Sequence, residues 1–292
     1  MNKFLLFINY LFKHFNPKWF SCPSCGHSKS DLLSRKYFVT SMNRCRNCQL
    51  LFRTPTTSPK EYSNFYQTNY VEGYTTEAPS QSELQRLIAT KFRNSGRDYT
   101  NYINVLRSLQ SNPDQIILDF GCSWGYGSWQ IKDANFKVLA TEISKPRRNF
   151  AKKFLDIDVV PEPSDLKTPI DLFFSSHVLE HIPEIHKVFD VAKKSMAVDG
   201  YLIAFTPNGS DNFRKNDPLS WNKCWGFVHP ILIDDVFIKS YFCNEKIYIG
   251  TSPYNCEHIA EWAKNERKPN LTLASLDGNE LLFIVKFDDR QI

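Results

Sequence analysis

The pattern of apolar and polar positions changes character near residue 115. Beyond that point, short apolar runs alternate with segments of helical character. The runs predict strands at 115–120, 137–143, 158–160, 171–177, 200–207, 245–252 and 281–288. Only the connection between the last two is long and polar, with no clear helix pattern. Continuous apolar runs are typical of parallel strands buried on both faces. The pattern therefore predicts a twisted α/β sheet in residues 111–292, with a ligand at the carboxyl ends of its strands.

The first 110 residues lack this alternation. Residues 1–20 have a short apolar core flanked by lysines, which predicts a short amphipathic helix. That helix either lies on an anionic membrane surface or packs on its own protein or a partner subunit. Residues 57–110 predict an aromatic linker followed by helices, with apolar positions near helical spacing in 82–110. The linker aromatics either pack on the main domain or cover the ligand; they are Tyr62, Phe65, Tyr66, Tyr70 and Tyr74.

Residues 21–56 contain two pairs of cysteines. Cys22 and Cys25 are followed, after nineteen residues, by Cys45 and Cys48. Two CxxC pairs at this separation can place four thiolates tetrahedrally around Zn²⁺. A module of this size has too few residues for an apolar core, so the metal would provide its folding energy. Because cysteine fills all four positions, we predict a structural zinc ribbon rather than a site that activates water.

A glycine-rich turn follows the first strand of the predicted sheet. The segment 116–127, IILDFGCSWGYG, leads from an apolar run into Gly121 and Gly125 and then towards a helix. A strand, a glycine turn and a helix together offer backbone N–H groups and a helix N-terminus to a ligand. The next strand ends at Glu142, 21 positions after Gly121, where a carboxylate can accept hydrogen bonds from both ribose hydroxyls of an adenosine-type cofactor. Asp165, after the third strand, is a candidate for the adenine edge, although a turn aspartate explains it equally well.

The spacing of the glycines distinguishes between nucleotide cofactors. The dinucleotide fingerprint is GxGxxG, whereas this loop has the spacing GxxxGxG. S-adenosylmethionine (SAM) needs no pyrophosphate cradle, and Asp119 at the start of the loop suits its cationic ammonium group. We therefore predict that Asp119, Gly121, Gly125 and Glu142 bind SAM.

Four motifs resemble those of class I SAM-dependent methyltransferases. These are DFGCSWGYG at 119–127, TEIS at 141–144, DLFFSSHVLEHIP at 171–183 and DGYLIAFTPN at 199–208. The resemblance covers about 115–288 and implies a Rossmann-like methyltransferase sheet of about seven strands with helices on both faces. Ser123 departs from it, because the family often has a second glycine there. With its cysteine pairs and tyrosine-rich segment, the chain also resembles a zinc-ribbon subgroup associated with sugar, surface-polysaccharide or secondary-metabolite modification.

Methyl transfer from a sulfonium is an in-line displacement for which the protein aligns the nucleophile. A sugar hydroxyl is a poor nucleophile near pH 7, so a general base assists its methylation. The candidates at the predicted strand-end rim are His181, His177 and His229, in that order. Each could instead cap a helix or hydrogen-bond within the core, and Glu180 between the first two is either solvated or an acid partner. Two histidines four residues apart could bind a metal, but no third ligand is evident in the sequence.

Charge is unevenly distributed along the chain. Residues 1–60 hold ten lysines and arginines against Asp31 alone, a net +9, so a whole-chain charge of +5 leaves −4 for the remainder. The basic end predicts an anionic partner, which could be a phosphorylated or anionic sugar, nucleic acid or anionic lipid. Four scattered cysteines beside one metal-type cluster fit a reducing compartment. We therefore expect a cytoplasmic protein, with residues 1–20 as a candidate contact to the inner face of a membrane.

Together these features predict a SAM-dependent methyltransferase acting on a hydroxyl, or a carbon, of a sugar or glycan intermediate in polysaccharide biosynthesis. One alternative is an RNA methyltransferase that uses the zinc ribbon to bind RNA. A second is a non-catalytic methyltransferase-like module that binds a partner protein or a membrane. The sequence does not predict the oligomeric state.

Overall fold

Two β-sheets, one small and one large, organise the fold. The computed structural model describes residues 8, 10–58, 61, 77–110, 112–265 and 270–287. The strands are β1 (Ser30–Lys36), β2 (Thr40–Cys45), β3 (Leu51–Thr54), β4 (Ile116–Phe120), β5 (Lys137–Thr141), β6 (Val159–Val160), β7 (Ile170–Ser176), β8 (Met196–Pro207), β9 (Ile231–Leu232), β10 (Lys246–Thr251), β11 (Asn270–Thr272) and β12 (Glu280–Lys286). The α-helices are α1 (Gln81–Ala89), α2 (Thr100–Leu109), α3 (Tyr126–Asp133), α4 (Lys145–Phe150), α5 (Ile185–Ser195), α6 (Asp211–Asn216), α7 (Pro218–Lys223), α8 (Asp235–Tyr241) and α9 (Cys256–Lys264).

The large sheet has the strand order β11-β10-β12-β8-β7-β4-β5-β6. Strands β4 to β8 run parallel to one another, and β12 is antiparallel to both β8 and β10. The carboxyl ends of β4, β5 and β7 therefore meet at one edge of the sheet, where a ligand is expected. All seven predicted strands are present, and the α/β fold is confirmed. The described residues add β11 as an eighth, whose three residues are too few to produce an apolar run.

Helices cover both faces of this sheet. Helix α5 illustrates how a helix covers the sheet. Its buried residues recur at helical spacing and form one apolar face. They are Ile185, Val188, Phe189 and Ala192. That face packs with α8 against one side of the sheet. Helices α2 and α9 pack against the other side. The apolar stripes on these helices thus bury the faces of the strands that hold the site.

The helices predicted in 82–110 are α1 and α2, which are separated by a turn in which Lys91, Phe92 and Asn94 have positive φ. A different prediction needs correction. The connection between the last two predicted strands, which showed no helix pattern, contains α9 and β11. Helix α9 buries only Ile259 and Trp262, so its apolar stripe was too short to recognise.

The small sheet joins the cysteine-rich segment to the rest of the molecule. Strands β1, β2 and β3 form an antiparallel meander, and β9 adds a fourth strand to its edge. Arg44 donates to the buried Asp234 (2.6 Å), and the Lys36 ammonium lies 3.9 Å from the centre of the Trp225 ring. The cysteine-rich segment is therefore packed against residues on both sides of β9.

The described part of the N-terminal segment lies on the small sheet. Residues 10–13 are helical, and Lys13 donates to the Thr56 carbonyl (3.0 Å) and to Glu61 (2.8 Å). Phe12 and Phe15 face outwards and are 70% and 87% exposed. Among the residues described, no helix has both the length and the apolar character needed to cross a membrane. Contact of residues 1–20 with a membrane surface remains a prediction.

Candidate active site

The glycine loop lies between β4 and α3, at the carboxyl edge of the sheet. Gly121 has φ +77°, and a Cβ atom there would lie 2.6 Å from a methyl group of Val178. Gly125 has φ +87°, and a Cβ atom there would lie 2.9 Å from the Ala151 side chain. Only glycine satisfies both requirements at these positions. The residues predicted from spacing thus give the loop its shape.

Ser123 has positive φ (55°), a conformation that glycine adopts without strain. In class I SAM-dependent methyltransferases, which this segment resembles, the same position is often glycine. The backbone of Ser123 has the positive φ that glycine would adopt there. Its N–H donates to Glu142 (3.1 Å), and its hydroxyl is buried without a hydrogen-bond partner among the described residues. The serine therefore preserves the shape of the loop.

Glu142 follows β5 and faces the loop. One carboxylate oxygen accepts the Ser123 N–H and the other accepts the Ser144 N–H (2.7 Å). Burial raises the pKa of Glu142, and these backbone donors oppose the shift. A carboxylate oxygen has two acceptor positions, so each oxygen can accept a further hydrogen bond from a ribose hydroxyl.

Asp119 is the last-but-one residue of β4 and is buried beneath the loop. Its carboxylate accepts a hydrogen bond from the Ser128 hydroxyl (2.6 Å), which belongs to α3. Burial raises the pKa of Asp119 to about 7, although the Ser128 hydrogen bond opposes the shift. A cationic ligand group placed beside it would stabilise the ionised form.

Asp165 is exposed and ends the short turn Pro163–Asp165 that follows β6. Its side chain accepts the Glu162 N–H (3.2 Å) and caps that turn. This is the turn role that the sequence allowed, and contact with an adenine stays a prediction. The tyrosine-rich segment from Tyr62 to Tyr74 lies outside the described residues.

His177 directly follows strand β7 and lies between two carboxylates. Its Nε2 is 2.5 Å from Glu280 and its Nδ1 is 3.4 Å from Glu180. Burial opposes a charge on the ring, but the two carboxylates, which accept hydrogen bonds from the ring N–H groups, outweigh it and raise the pKa of His177 to about 10. At neutral pH His177 is thus an imidazolium, which cannot accept a proton from a substrate. The sequence ranked His177 second among the candidate general bases. The environment of its ring does not support that role.

Glu280 is a site residue that the sequence did not reveal. Besides His177, it accepts hydrogen bonds from the hydroxyls of Tyr102 (2.7 Å) and Tyr254. It begins β12, about a hundred positions after His177, and reaches the rim because β12 is antiparallel to β8. No local motif marks it, since only the pairing of strands brings it to this edge.

His181 and His229 come together on the other side of Glu180. Their rings are 4.6 Å apart between centres and meet edge to face. Burial lowers the pKa of His181 to about 4, so this imidazole is neutral at pH 7. Glu180 is completely buried rather than solvated and accepts a hydrogen bond from the Thr206 hydroxyl (3.2 Å). The structure thus assembles all three predicted histidines around one acid.

A cavity of about 560 Å³ opens at this rim. His177 and Glu280 line one part of it, while Asp217, Ser220 and Lys223 contribute polar and charged groups from α7 and the residue before it. Strand β7 separates it from the glycine loop, because β4 pairs with β7. The cavity and the glycine loop therefore lie at the same edge of the sheet, one strand apart.

The four predicted metal cysteines meet at the end of the small sheet. Their sulfur atoms all lie within 4.8 Å of one another, with 3.6 Å between Cys22 and Cys48 and 3.5 Å between Cys25 and Cys45. Tetrahedral Zn²⁺ with Zn–S bonds of about 2.3 Å requires S···S separations of about 3.8 Å. The cluster therefore has the ligands and spacing to hold one zinc ion.

The sequence and the structure were compared with known proteins. A comparison with curated proteins finds no significant match. Among solved structures, the plantazolicin methyltransferase BpumL in complex with SAH is 10% identical, with a TM-score of 0.47, and the match covers 71% of this chain and 91% of that chain. A SAM dependent methyltransferase from Archaeoglobus fulgidus is 17% identical, with a TM-score of 0.43, and the match covers 70% of this chain and 99% of that chain.

A family model described as a methyltransferase domain matches residues 82–247, which is more than half of the chain. The match begins in α1 and ends in β10, so it includes the glycine loop, Glu142 and all three histidines. The chain therefore belongs to the methyltransferase-domain family and is a SAM-dependent methyltransferase.

Proposed function

We propose that this enzyme methylates a hydroxyl, or alternatively a carbon, of an anionic sugar or glycan intermediate. The observation that carries the proposal is the cavity at the carboxyl edge of the sheet, one strand away from the glycine loop. Its lining includes His177, Asp217, Lys223, Asn279 and Glu280, which offer donors and acceptors suited to a ligand with many hydroxyl groups. The ammonium group of Lys223 suits a phosphate or carboxylate on such a ligand.

The residues of the glycine loop would hold SAM, which supplies an electrophilic methyl group when bound. Asp119 would face its ammonium group and Glu142 its ribose hydroxyls. His181 is the neutral imidazole of the rim and remains our first candidate to accept the proton of an acceptor hydroxyl. His177, held as an imidazolium, would instead orient the acceptor or bind its anionic group.

We also propose that Cys22, Cys25, Cys45 and Cys48 bind a structural Zn²⁺ ion. The proposal is supported by four thiolate ligands at nearly tetrahedral separations. With all four positions taken by sulfur, the ion would stabilise the small sheet and take no part in methyl transfer.

The acceptor class can be tested with SAM that carries a radiolabelled methyl group. The full-length enzyme is incubated separately with nucleotide-activated sugars and with total RNA. We expect label in the sugar fraction, and Lys223→Ala should raise KM for a phosphorylated acceptor by about tenfold, the effect of losing one charge-assisted contact. Lys215→Ala on α6 is the matched control and should leave KM unchanged. Label in RNA alone would refute the sugar assignment without affecting the assignment of SAM.

A further inference from the structure

A second cluster of metal-type ligands lies at the strand-end rim, apart from the four cysteines. It consists of Glu180, His181 and His229, and one ligand atom of each lies within 4.8 Å of the other two. Glu180 is completely buried. Its Oε2 atom accepts the Thr206 hydroxyl (3.2 Å), and its Oε1 atom lies 3.4 Å from Nδ1 of His177. That buried oxygen lies 3.9 Å from Nε2 of His181, so it faces into the cluster.

Backbone carbonyls set the tautomers of both histidines. Nδ1 of His181 is 3.0 Å from the Val228 carbonyl oxygen, and Nδ1 of His229 is 2.8 Å from the Cys224 carbonyl oxygen. A carbonyl oxygen can only accept, so each Nδ1 carries the proton and each Nε2 carries the lone pair. Histidines that bind metals are usually oriented in this way, with the second ring nitrogen donating to a carbonyl.

We propose that Glu180, His181 and His229 bind a divalent transition-metal ion. Two imidazoles and one carboxylate form a three-ligand set with an open fourth position, as in catalytic zinc sites. Imidazole ligands favour Zn²⁺, Fe²⁺ or Ni²⁺ over Mg²⁺ or Ca²⁺. Ligand bonds of about 2.1 Å require ligand atoms about 3.0–3.5 Å apart. From separations of up to 4.8 Å, the three side chains would therefore draw closer together around the ion.

The location of this site suggests what the ion does, and this step rests on the proposed function. His177 contacts Glu180 (3.4 Å) and also lines the acceptor cavity, so a single side chain connects the proposed ligands to that cavity. An acceptor hydroxyl on the ion would lose its proton to water more readily, because a divalent ion lowers the pKa of a bound oxygen. The alkoxide would then form the new O–CH₃ bond while the S–CH₃ bond breaks, its electron pair staying on sulfur. His181 would thus act as a ligand, and the ion would replace it in activating the hydroxyl.

Metal content tests the site without any acceptor or SAM. After removal of loosely bound ions, the zinc-loaded full chain is expected to retain two ions per chain. His229→Ala should retain one, while His258→Ala, a surface histidine on α9, should retain two. Retention of one ion by the wild type, or of two by His229→Ala, would overturn the proposal.

The two sites can be told apart with Co²⁺. Added to protein whose cysteines hold zinc, Co²⁺ should bind one equivalent at the histidine site without thiolate charge-transfer absorption, and His229→Ala should lose this binding. Glu180→Gln is a second variant, with its circular dichroism and cysteine-bound zinc measured to show that it folds. If folded Glu180→Gln binds Co²⁺ as tightly as the wild type, the carboxylate is not a ligand and the proposal fails.

Discussion

At the scale of single residues, Asp119 links cofactor binding to pH. Its pKa of about 7 lies well above the usual 3.8 because the carboxyl group is buried. Below pH 7 the group must lose a proton before it can attract a cationic ammonium group, so the affinity for SAM should rise as the pH rises. Between pH 6 and pH 8 we expect an increase of about tenfold, measured by calorimetry, as the ionised fraction grows.

Asp119→Asn is the control, because its affinity for SAM should be lower and should lose this part of the pH dependence.

In the absence of SAM, Asp119 should make the stability of the folded protein fall, not rise, with increasing pH. The folded protein holds a proton on Asp119 that the unfolded chain releases above pH 3.8, so stability falls as the pH rises through 7. Thermal unfolding of the free wild type between pH 5 and pH 8 should show this loss, and Asp119→Asn should show less of it. An equal pH dependence of SAM affinity in both proteins would contradict the assignment.

Residues that depend on short-range spacing were predictable, and those that depend on strand pairing were not. Gly121, Gly125 and Glu142 follow their strands directly, so a local motif places them. Glu280 enters the site only because β12 pairs with β8. Glu180 was identified, but its surroundings include Thr206 and His229, which come from distant segments of the chain. A linear pattern contains none of this information.

At the scale of elements, some strands are recognisable from a local apolar pattern, whereas others depend on pairing with a distant strand. Strands β4 and β7, and β8 from Gly200 onwards, are mostly apolar runs buried on both faces. Runs of that kind identify a strand without knowledge of its neighbours. Strands β9 and β11 have two and three residues, and they exist because a partner strand is available to pair with them. Their positions follow from tertiary structure, which overrides local preference.

The contact between the small sheet and α8 includes a buried ion pair, and its contribution to stability can be compared with that of an exposed one. Arg44 is mostly buried and pairs with the fully buried Asp234, which also caps α8 by accepting the Phe237 N–H. Arg44→Ala would leave that carboxylate buried without its cation, and we expect a loss of about 2–4 kcal/mol in the free energy of unfolding. Urea denaturation measures the difference.

Arg46 provides the comparison, because it forms an equally short ion pair (2.6 Å) with Asp31 and both side chains are more than half exposed. Water and salt screen such a pair, so Arg46→Ala should leave the midpoint of urea denaturation unchanged within error. Equal destabilisation by the two substitutions would show that burial of Asp234 is not the decisive factor.

At the scale of the whole molecule, the proposed zinc ion should influence the active site through the small sheet. Strand β3 pairs with β9, and His229 lies two residues before β9. Replacing Cys45 and Cys48 by serine should therefore loosen residues 226–233, with faster amide hydrogen exchange there by at least about tenfold. Methyl transfer should fall as His229 loses its position.

SAM binding provides the internal control for this variant. The glycine loop is held by β4, β5 and α3, and their hydrogen bonds within the described part of the chain involve none of the four cysteines of the small sheet. The affinity for SAM should therefore change by less than about threefold, as expected for distant sites. If SAM binding is lost while exchange in residues 226–233 stays slow, coupling through β9 is refuted.

The pairing of β3 with β9 also has a consequence for synthesis on the ribosome. The paired residues Leu51 and Leu232 are about 180 positions apart in the chain. At about 5–20 residues per second, the cysteines emerge roughly 10–40 s before the strand that completes their sheet. During that interval β3 presents an open edge, to which an edge strand from a neighbouring nascent chain can add. A polypeptide truncated before residue 231 would lack β9, so the edge of β3 would stay unpaired. We therefore expect such truncated chains to aggregate even when zinc is abundant.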